Sequence, residues 1–222
     1  MAGGSRYLLL GKQGAGKGTQ ASRLAAHLGV PHISTGEMFR AAVRNGSELG
    51  LRAQGYMDRG ELVPDEVVIG VVAERLAEDD AVHRGFVLDG FPRTRSQAQE
   101  LDRVLFPEGL TAAIDIEVPT AEVVRRISGR RVCSTCGATY HVDAPPADDW
   151  RCDIDAGQVV QRDDDTEEAV TRRLDLYETE TRPLLDFYDE RGVLTRVNGT
   201  GTVDEVFDRM LKQIQNGGVL IR

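Results

Sequence analysis

Tyr7-Leu8-Leu9-Leu10-Gly11-Lys12-Gln13-Gly14-Ala15-Gly16-Lys17-Gly18-Thr19 is the stretch that decides the fold. Four apolar residues in a row, stopped by Gly11, read as a strand buried on both faces. Gly11, Gly16 and Lys17 then stand at the Gly-x-x-x-x-Gly-Lys spacing of a phosphate loop. Glycines let successive backbone N–H groups turn toward one point, which makes a nest for an anion. The segment from Lys17 to about Leu28 puts Leu24, Ala25 and Leu28 on one face and predicts a helix. Its positive N-terminus faces the same anion, and Lys17 can reach the outer phosphates. The residue after the lysine is Gly18, where Ser or Thr is usual, so Mg²⁺ would lean on phosphates and water rather than on a loop hydroxyl. A plain glycine turn is the bland alternative; the strand before and the helix after argue against it.

Working outward, strands and helices alternate. Val30 to Ile33 reads as a second strand, and Ser34 or Thr35 can cap a helix through Met38, Phe39 and Val43. Pro64 opens a helix through Val68, Val72 and Leu76, with Asp65 and Glu66 in an acidic first turn. Phe86-Val87-Leu88 is a buried strand ending at Asp89-Gly90, and Ala113 to Ile116 is another, followed by Pro119-Thr120 and a helix. Asp165 with Glu168 resembles a capping box for one long helix to about Glu190. Val193 to Val197 is a fifth strand, and Thr202 with Glu205 caps the last helix. The alternation predicts an α/β fold, a parallel sheet with helices on both faces. Residues 129–165 break the pattern and read as a small insertion.

Composition narrows the partners. The 222 residues carry 27 Lys+Arg against 36 Asp+Glu, a net charge of −9, and only 5% aromatics, which excludes a general nucleic-acid or anionic-membrane surface. No apolar run approaches a membrane span or a signal peptide, so the expectation is a cytoplasmic protein with no membrane or nucleic-acid partner. No self-complementary apolar heptad is present, which makes a monomer the default.

Asp89 stands at the C-terminal end of a buried strand, where phosphate-loop enzymes keep a Mg²⁺-organising carboxylate. Arg93, four residues on, and Arg40, after Ser34-Thr35-Gly36, are forks that suit a phosphate. In the insertion, Cys133-x-x-Cys136 is one metal knuckle; Cys152-x-x-Asp155 repeats its spacing with a carboxylate in the fourth place. Such a set suits tetrahedral Zn²⁺ in a structural role, with Asp153 and His141 as rival fourth ligands and a redox dithiol as the other reading.

These runs together resemble adenylate kinase of the bacterial long-lid, zinc-binding type. The residues that carry the resemblance are the loop Gly11 to Thr19, Ser34-Thr35-Gly36, Gly60 to Asp65, Leu88-Asp89-Gly90-Phe91-Pro92-Arg93, Gly129-Arg130-Arg131, and Arg162-Asp163-Asp164-Asp165 leading to Arg172-Arg173-Leu174. They span about Tyr7 to Met210. The resemblance implies a phosphate-loop NTPase core (1–33, 64–128 and 166–222), a helical NMP-binding flap (34–63) and a zinc-knuckle lid (129–165). It implies reversible phosphoryl transfer from Mg²⁺·ATP to AMP, giving two ADP. Carried over by position, Gly14, Ala15, Gly16, Lys17, Gly18 and Thr19 would hold the ATP phosphates, with Arg126 and Gly201 near the adenine. Arg130, Arg162 and Arg173 would surround the transferring group, the last two also touching AMP. Arg40 and Arg93 would bind the AMP phosphate, and Asp89 would organise Mg²⁺ through water. Thr35, Gly36, Leu62, Val63, Gly90 and Gln97 would line the AMP site, Thr35 and Gln97 selecting its base. Asp164 and Asp165 would link the closing lid to the phosphates, and Cys133, Cys136, Cys152 and Asp155 would hold zinc.

Two positions depart from the family pattern: Gln13 stands where proline is usual, and Gly201 where a lysine is common. Two other readings stay open here, a kinase for UMP, CMP or GMP and a nucleotide-binding regulator without turnover. Against the regulator stand charges on both sides of the transfer point.

Overall fold

The computed structural model describes residues 4–162 and 165–216. Strand β1 (Ser5–Leu10) leads through the glycine loop into α1 (Lys17–Leu28), then β2 (His32–Ser34). Four helices follow: α2 (Thr35–Arg44), α3 (Glu48–Asp58), α4 (Asp65–Leu76) and α5 (Asp79–Arg84). Next come β3 (Gly85–Asp89), α6 (Arg95–Val104), β4 (Ala112–Glu117) and α7 (Thr120–Ser128). Three short strands, β5 (Arg130–Cys133), β6 (Thr139–His141) and β7 (Val159–Val160), form the insertion. The chain ends with α8 (Glu167–Leu176), α9 (Pro183–Asp189), β8 (Leu194–Asn198) and α10 (Val203–Asn216).

The main sheet runs β2-β3-β1-β4-β8 and is parallel throughout. Alternate residues of each strand feed opposite cores. Leu8, Leu10, Phe86 and Leu88 pack toward α4, α6 and α9, while Tyr7, Leu9, Val87 and Ile114 pack toward α1, α7 and α10. Both faces are covered, which is why the strands read as unbroken apolar runs. After β1 the chain goes to β2 on one side and returns, through β3, to β4 on the other. That reversal opens a crevice at the carboxyl ends of β1 and β3, where parallel α/β sheets bind ligands. Register sets Leu9 beside Asp89, so the phosphate loop and that carboxylate are neighbours by construction.

Several expectations change. The second strand begins at His32 rather than Val30, because Val30 N–H still bonds Ala25 O of α1 at 3.0 Å. Ser34 stands before α2 without a side-chain cap, and Thr35 is the helix's first residue. Thr166, not Asp165, caps α8, accepting from Ala169 N–H at 3.2 Å; Asp165 is turned to an arginine. The single long helix to Glu190 is broken by a π-turn at Tyr177–Thr181, where Arg182 N–H reaches Tyr177 O at 2.7 Å. Pro183 explains the break: it has no N–H and its ring crowds the carbonyl four residues back. The final cap holds, with Glu205 N–H on Thr202 Oγ1 and Thr202 N–H on Glu205 Oε2.

The insertion is a three-stranded antiparallel sheet, β6-β5-β7, whose core cluster joins three buried residues, Cys133, Cys152 and Val159, to half-buried Ala138, Tyr140 and Trp150. So few cannot hold a fold unaided.

Gly85 is a point where the main sheet admits no side chain. Its φ is +85°, and a Cβ there would stand 2.1 Å from Ser5 O in the neighbouring strand. The left-handed backbone and the clash together predict that Gly85→Ala costs roughly 2–5 kcal/mol. Urea unfolding of both proteins measures it, and a stability equal to that of the parent would contradict this reading.

Candidate active site

The crevice is a cleft of about 1180 Å³ lined from every side by the residues singled out above. At its floor lies the phosphate loop. Lys17 Nζ folds back on the loop and donates to Gly11 O at 2.8 Å and Lys12 O at 2.9 Å. Removal of water lowers the Lys17 pKa to about 8, with Asp89 raising it and Arg93 and Arg130 lowering it further. A lysine so placed is charged at neutral pH but gives up its proton sooner than a solvated one. Asp89 is buried, its Oδ1 without a hydrogen-bond partner among the described residues. A buried carboxylate oxygen left open beside a phosphate loop suits a hydrated Mg²⁺. Gly18 faces the other oxygen of Asp89.

One wall comes from α2 and the β3–α6 loop. Gly90 has φ +82°, and a Cβ there would meet Thr35 Oγ1 at 2.8 Å and Arg93 Nη2 at 3.3 Å, so the bare glycine lets those two groups converge. Arg93 Nε donates to Gly90 O at 2.8 Å. Arg40, on α2, lies against Gly36 on the same wall. Leu62 and Val63 close this end. Gln97 is buried with both ends of its amide fixed: Nε2 donates to Asp65 Oδ1 at 2.7 Å, and Oε1 accepts from Arg93 N–H at 2.8 Å. Asp65 also accepts from Thr94 Oγ1, and Thr181 Oγ1 donates to Arg93 O at 2.9 Å. Sequence reasoning passed over Thr94 and Thr181 and read Asp65 as an acid in a helix's first turn and the end of the Gly60 to Asp65 run, without a partner for its side chain. No local pattern marks residues whose partners are 29 to 88 positions away.

The opposite wall is built on Arg126 of α7. Its guanidinium bonds Glu122, and it joins the phosphate loop to the loop after β8 through Ala15 O at 3.4 Å and Gly199 O at 3.1 Å. Gly201 lines the cleft beside it. Thr139, Tyr140 and His141 of the insertion also face the cleft here, which the sequence reading did not foresee. Between the walls stand Arg130, Arg162 and Arg173. Arg130 is held by the buried carboxylate of Asp165 through both Nε, at 2.8 Å, and Nη2. Arg173 donates to Met57 O of α3 at 2.9 Å. Asp164 lies outside the described residues. Asp115, read only as part of a strand, is buried near Lys17; burial raises its pKa to about 6, with Glu117 adding and Arg196 opposing.

In the insertion, the donor atoms of Cys133, Cys136, Cys152 and Asp155 lie within 4.8 Å of one another. Cys136 Sγ is 3.6 Å from Cys152 Sγ, and Cys133 Sγ is 3.3 Å from Asp155 Oδ1. Ligands on a tetrahedral Zn²⁺ stand roughly 3.4–3.8 Å apart; these two pairs are close to that spacing, and the set is compatible with the ion. The rivals Asp153 and His141 are not members of this cluster; Asp153 accepts from Ala147 N–H, and His141 Nδ1 from Asp143 N–H.

Comparison with known proteins agrees with this geometry. The adenylate kinase family model matches residues 9–193. An adenylate kinase of Carboxydothermus hydrogenoformans is 50% identical over 213 residues, 95% of this chain and 99% of that protein. One from Desulfitobacterium hafniense is 49% identical over 96% of this chain and 99% of its own length, and one from Listeria monocytogenes 51% identical over 91% and 95%. With the family model covering most of its length and these relatives matched nearly end to end, the chain belongs to the adenylate kinase family.

Proposed function

We propose that the cleft performs its family's reaction, reversible phosphoryl transfer between Mg²⁺·ATP and AMP giving two ADP, with the following division of labour. The observation that carries this is the convergence of Lys17, Asp89 and arginines from both walls on one cleft. A module that only bound a nucleotide would need charge on one side.

A phosphate oxygen of AMP attacks the terminal phosphorus of ATP, and the bond from that phosphorus to its bridging oxygen breaks. The electron pair stays with the departing ADP, so atoms and charge balance without a covalent enzyme intermediate. Such a step asks the protein for alignment and charge stabilisation. The loop amides of Gly14 to Thr19 and Lys17 would hold the ATP phosphates, with Arg126 and Gly201 at the adenine end. Arg40 and Arg93 would aim the AMP phosphate. Thr35, Gly36, Leu62, Val63 and Gly90 would line its pocket, and Gln97, its amide fixed by Asp65, would read the base. Arg130, Arg162 and Arg173 would follow the charge as it moves between the two nucleotides. Asp89 would hold Mg²⁺ through water, the ion supplying neutralisation of the phosphate oxygens.

Segments 34–63 and 129–165 would act as flaps over AMP and ATP, excluding water that would otherwise hydrolyse ATP. Asp164 and Asp165 would tie the second flap to the phosphates. Cys133, Cys136, Cys152 and Asp155 would bind structural Zn²⁺, since the insertion's own core cluster has three buried residues. We assign the chain to the cytoplasm as a monomer; no helix among the described residues is long and apolar enough to cross a membrane.

Three measurements test this. Arg93→Ala should lower kcat/KM for AMP by roughly 10²–10³ while the ATP KM stays near that of the parent; unchanged AMP kinetics would remove the assignment. Phosphates favour charged Lys17, whose pKa in the empty cleft is about 8. Affinity for ATP should therefore be full below that pH and weaken roughly tenfold between pH 7 and 9. Calorimetry across that range reads it, and a flat profile contradicts it. Chelation of the nucleotide-free protein, or Cys133→Ser, should lower Tm by about 5 °C or more. A Tm insensitive to both would count against structural zinc.

A further inference from the structure

Gln13 has no part in the roles above, yet its side chain ends among them. It is the third residue of the phosphate loop and faces the cleft. The end of its amide stands 2.9 Å from Arg173 Nη1 and 3.2 Å from Arg130 Nη2. Guanidinium nitrogens only donate, so the group between them is the carbonyl oxygen. One neutral oxygen thus accepts from two cations brought by β5 and α8. Each cation has a second anchor, Arg130 on Asp165 and Arg173 on Met57 O.

We propose that Gln13 is a positioning residue whose carbonyl oxygen stands in for an oxygen of the transferred phosphoryl group, keeping Arg130 and Arg173 converged until substrate arrives. The inference rests on the phosphoryl-transfer reading of the cleft. Two guanidinium groups left alone repel, and long side chains gain entropy by spreading apart. An amide oxygen holds both through charge-assisted bonds. It carries no net charge, so it adds no second anion to that of Asp165, whose Oδ1 stands 3.4 Å from the amide end, when an arriving phosphoryl oxygen displaces it. A carboxylate of the same length would bind the pair more tightly and repel the phosphoryl group. A thioether of similar length would fill the space and accept almost nothing. Glu and Met are therefore the informative replacements.

The test compares the parent with Gln13→Met and Gln13→Glu as full-length chains. It uses steady-state kinetics with ATP and AMP varied, calorimetry with inorganic tripolyphosphate, and thermal unfolding. Gln13→Met should lower kcat roughly tenfold, with the AMP KM and tripolyphosphate affinity within threefold of the parent, because the arginines lose their organiser but gain no competitor. Gln13→Glu should weaken tripolyphosphate roughly tenfold and raise the ATP KM, with no fall in Tm. The inference is overturned if Gln13→Met keeps the parent's kcat, or if Gln13→Glu binds tripolyphosphate as tightly as the parent. It is overturned too if both variants lose activity in step with Tm, since that is the behaviour of a residue that merely shapes the loop. A parent that makes no ADP from ATP and AMP would refute the family reaction instead, and the tripolyphosphate arm would still judge Gln13.

Discussion

Permanent positive charge gathered around one cleft is the constraint on which the rest of this structure depends. Arginine keeps its proton at any ordinary pH, so charge brought here cannot be shed and must be held by something until phosphates come. The molecule uses backbone carbonyls for several of these groups. Lys17 rests on Gly11 and Lys12 carbonyls, Arg93 on that of Gly90, Arg126 on those of Ala15 and Gly199, and Arg173 on that of Met57. A carbonyl is a strong acceptor without net charge, so it steadies a cation without competing as an anion for the place a phosphate will take. Arg130 is given a full carboxylate, Asp165, and Arg126 shares that of Glu122. The net charge of −9 sits outside this arrangement and keeps the surface acidic, while the fold concentrates the basic groups that the sum conceals.

The parallel sheet makes the concentration possible. Its strands end side by side, so loops separated by many residues open into one crevice. The register of β1 on β3 puts the phosphate loop and Asp89 next to each other, and the same ends carry Gly90 and Arg93. Helices supply further arginines, Arg40 from α2, Arg126 from α7 and Arg173 from α8, and the insertion brings Arg130 on β5 and Arg162.

What was legible in the sequence follows from how local each signal is. The phosphate loop, the Asp89 strand end and the cysteine spacing are written in consecutive residues, and the structure brings each set together. Helix α3 was not legible, because it buries only Gly50 and Ala53 and so lacks an apolar period. The break before Pro183 was missed because apolar residues continue on both sides of it. The clamp of Asp65 on Gln97 spans 32 positions and needs a fold before it means anything. Gln13 was visible only as a departure; that its amide meets two arginines is a fact of tertiary structure.

The pair Arg130–Asp165 has a further consequence. Arg130 is the first residue of β5, just beyond the end of α7, and Asp165 lies just before the Thr166 cap of α8. The buried ion pair therefore joins the two points where the chain enters and leaves the insertion. Breaking such a pair from one side leaves a charge without compensation in a place shielded from water, which is costly. The two crossings are thus pinned together, and the small sheet beyond them, with its converging cysteines and Asp155, has a stiff base to pivot on. Any displacement of the insertion relative to the main sheet then carries Arg130 with it, so the small sheet and a cationic group lining the cleft move as one.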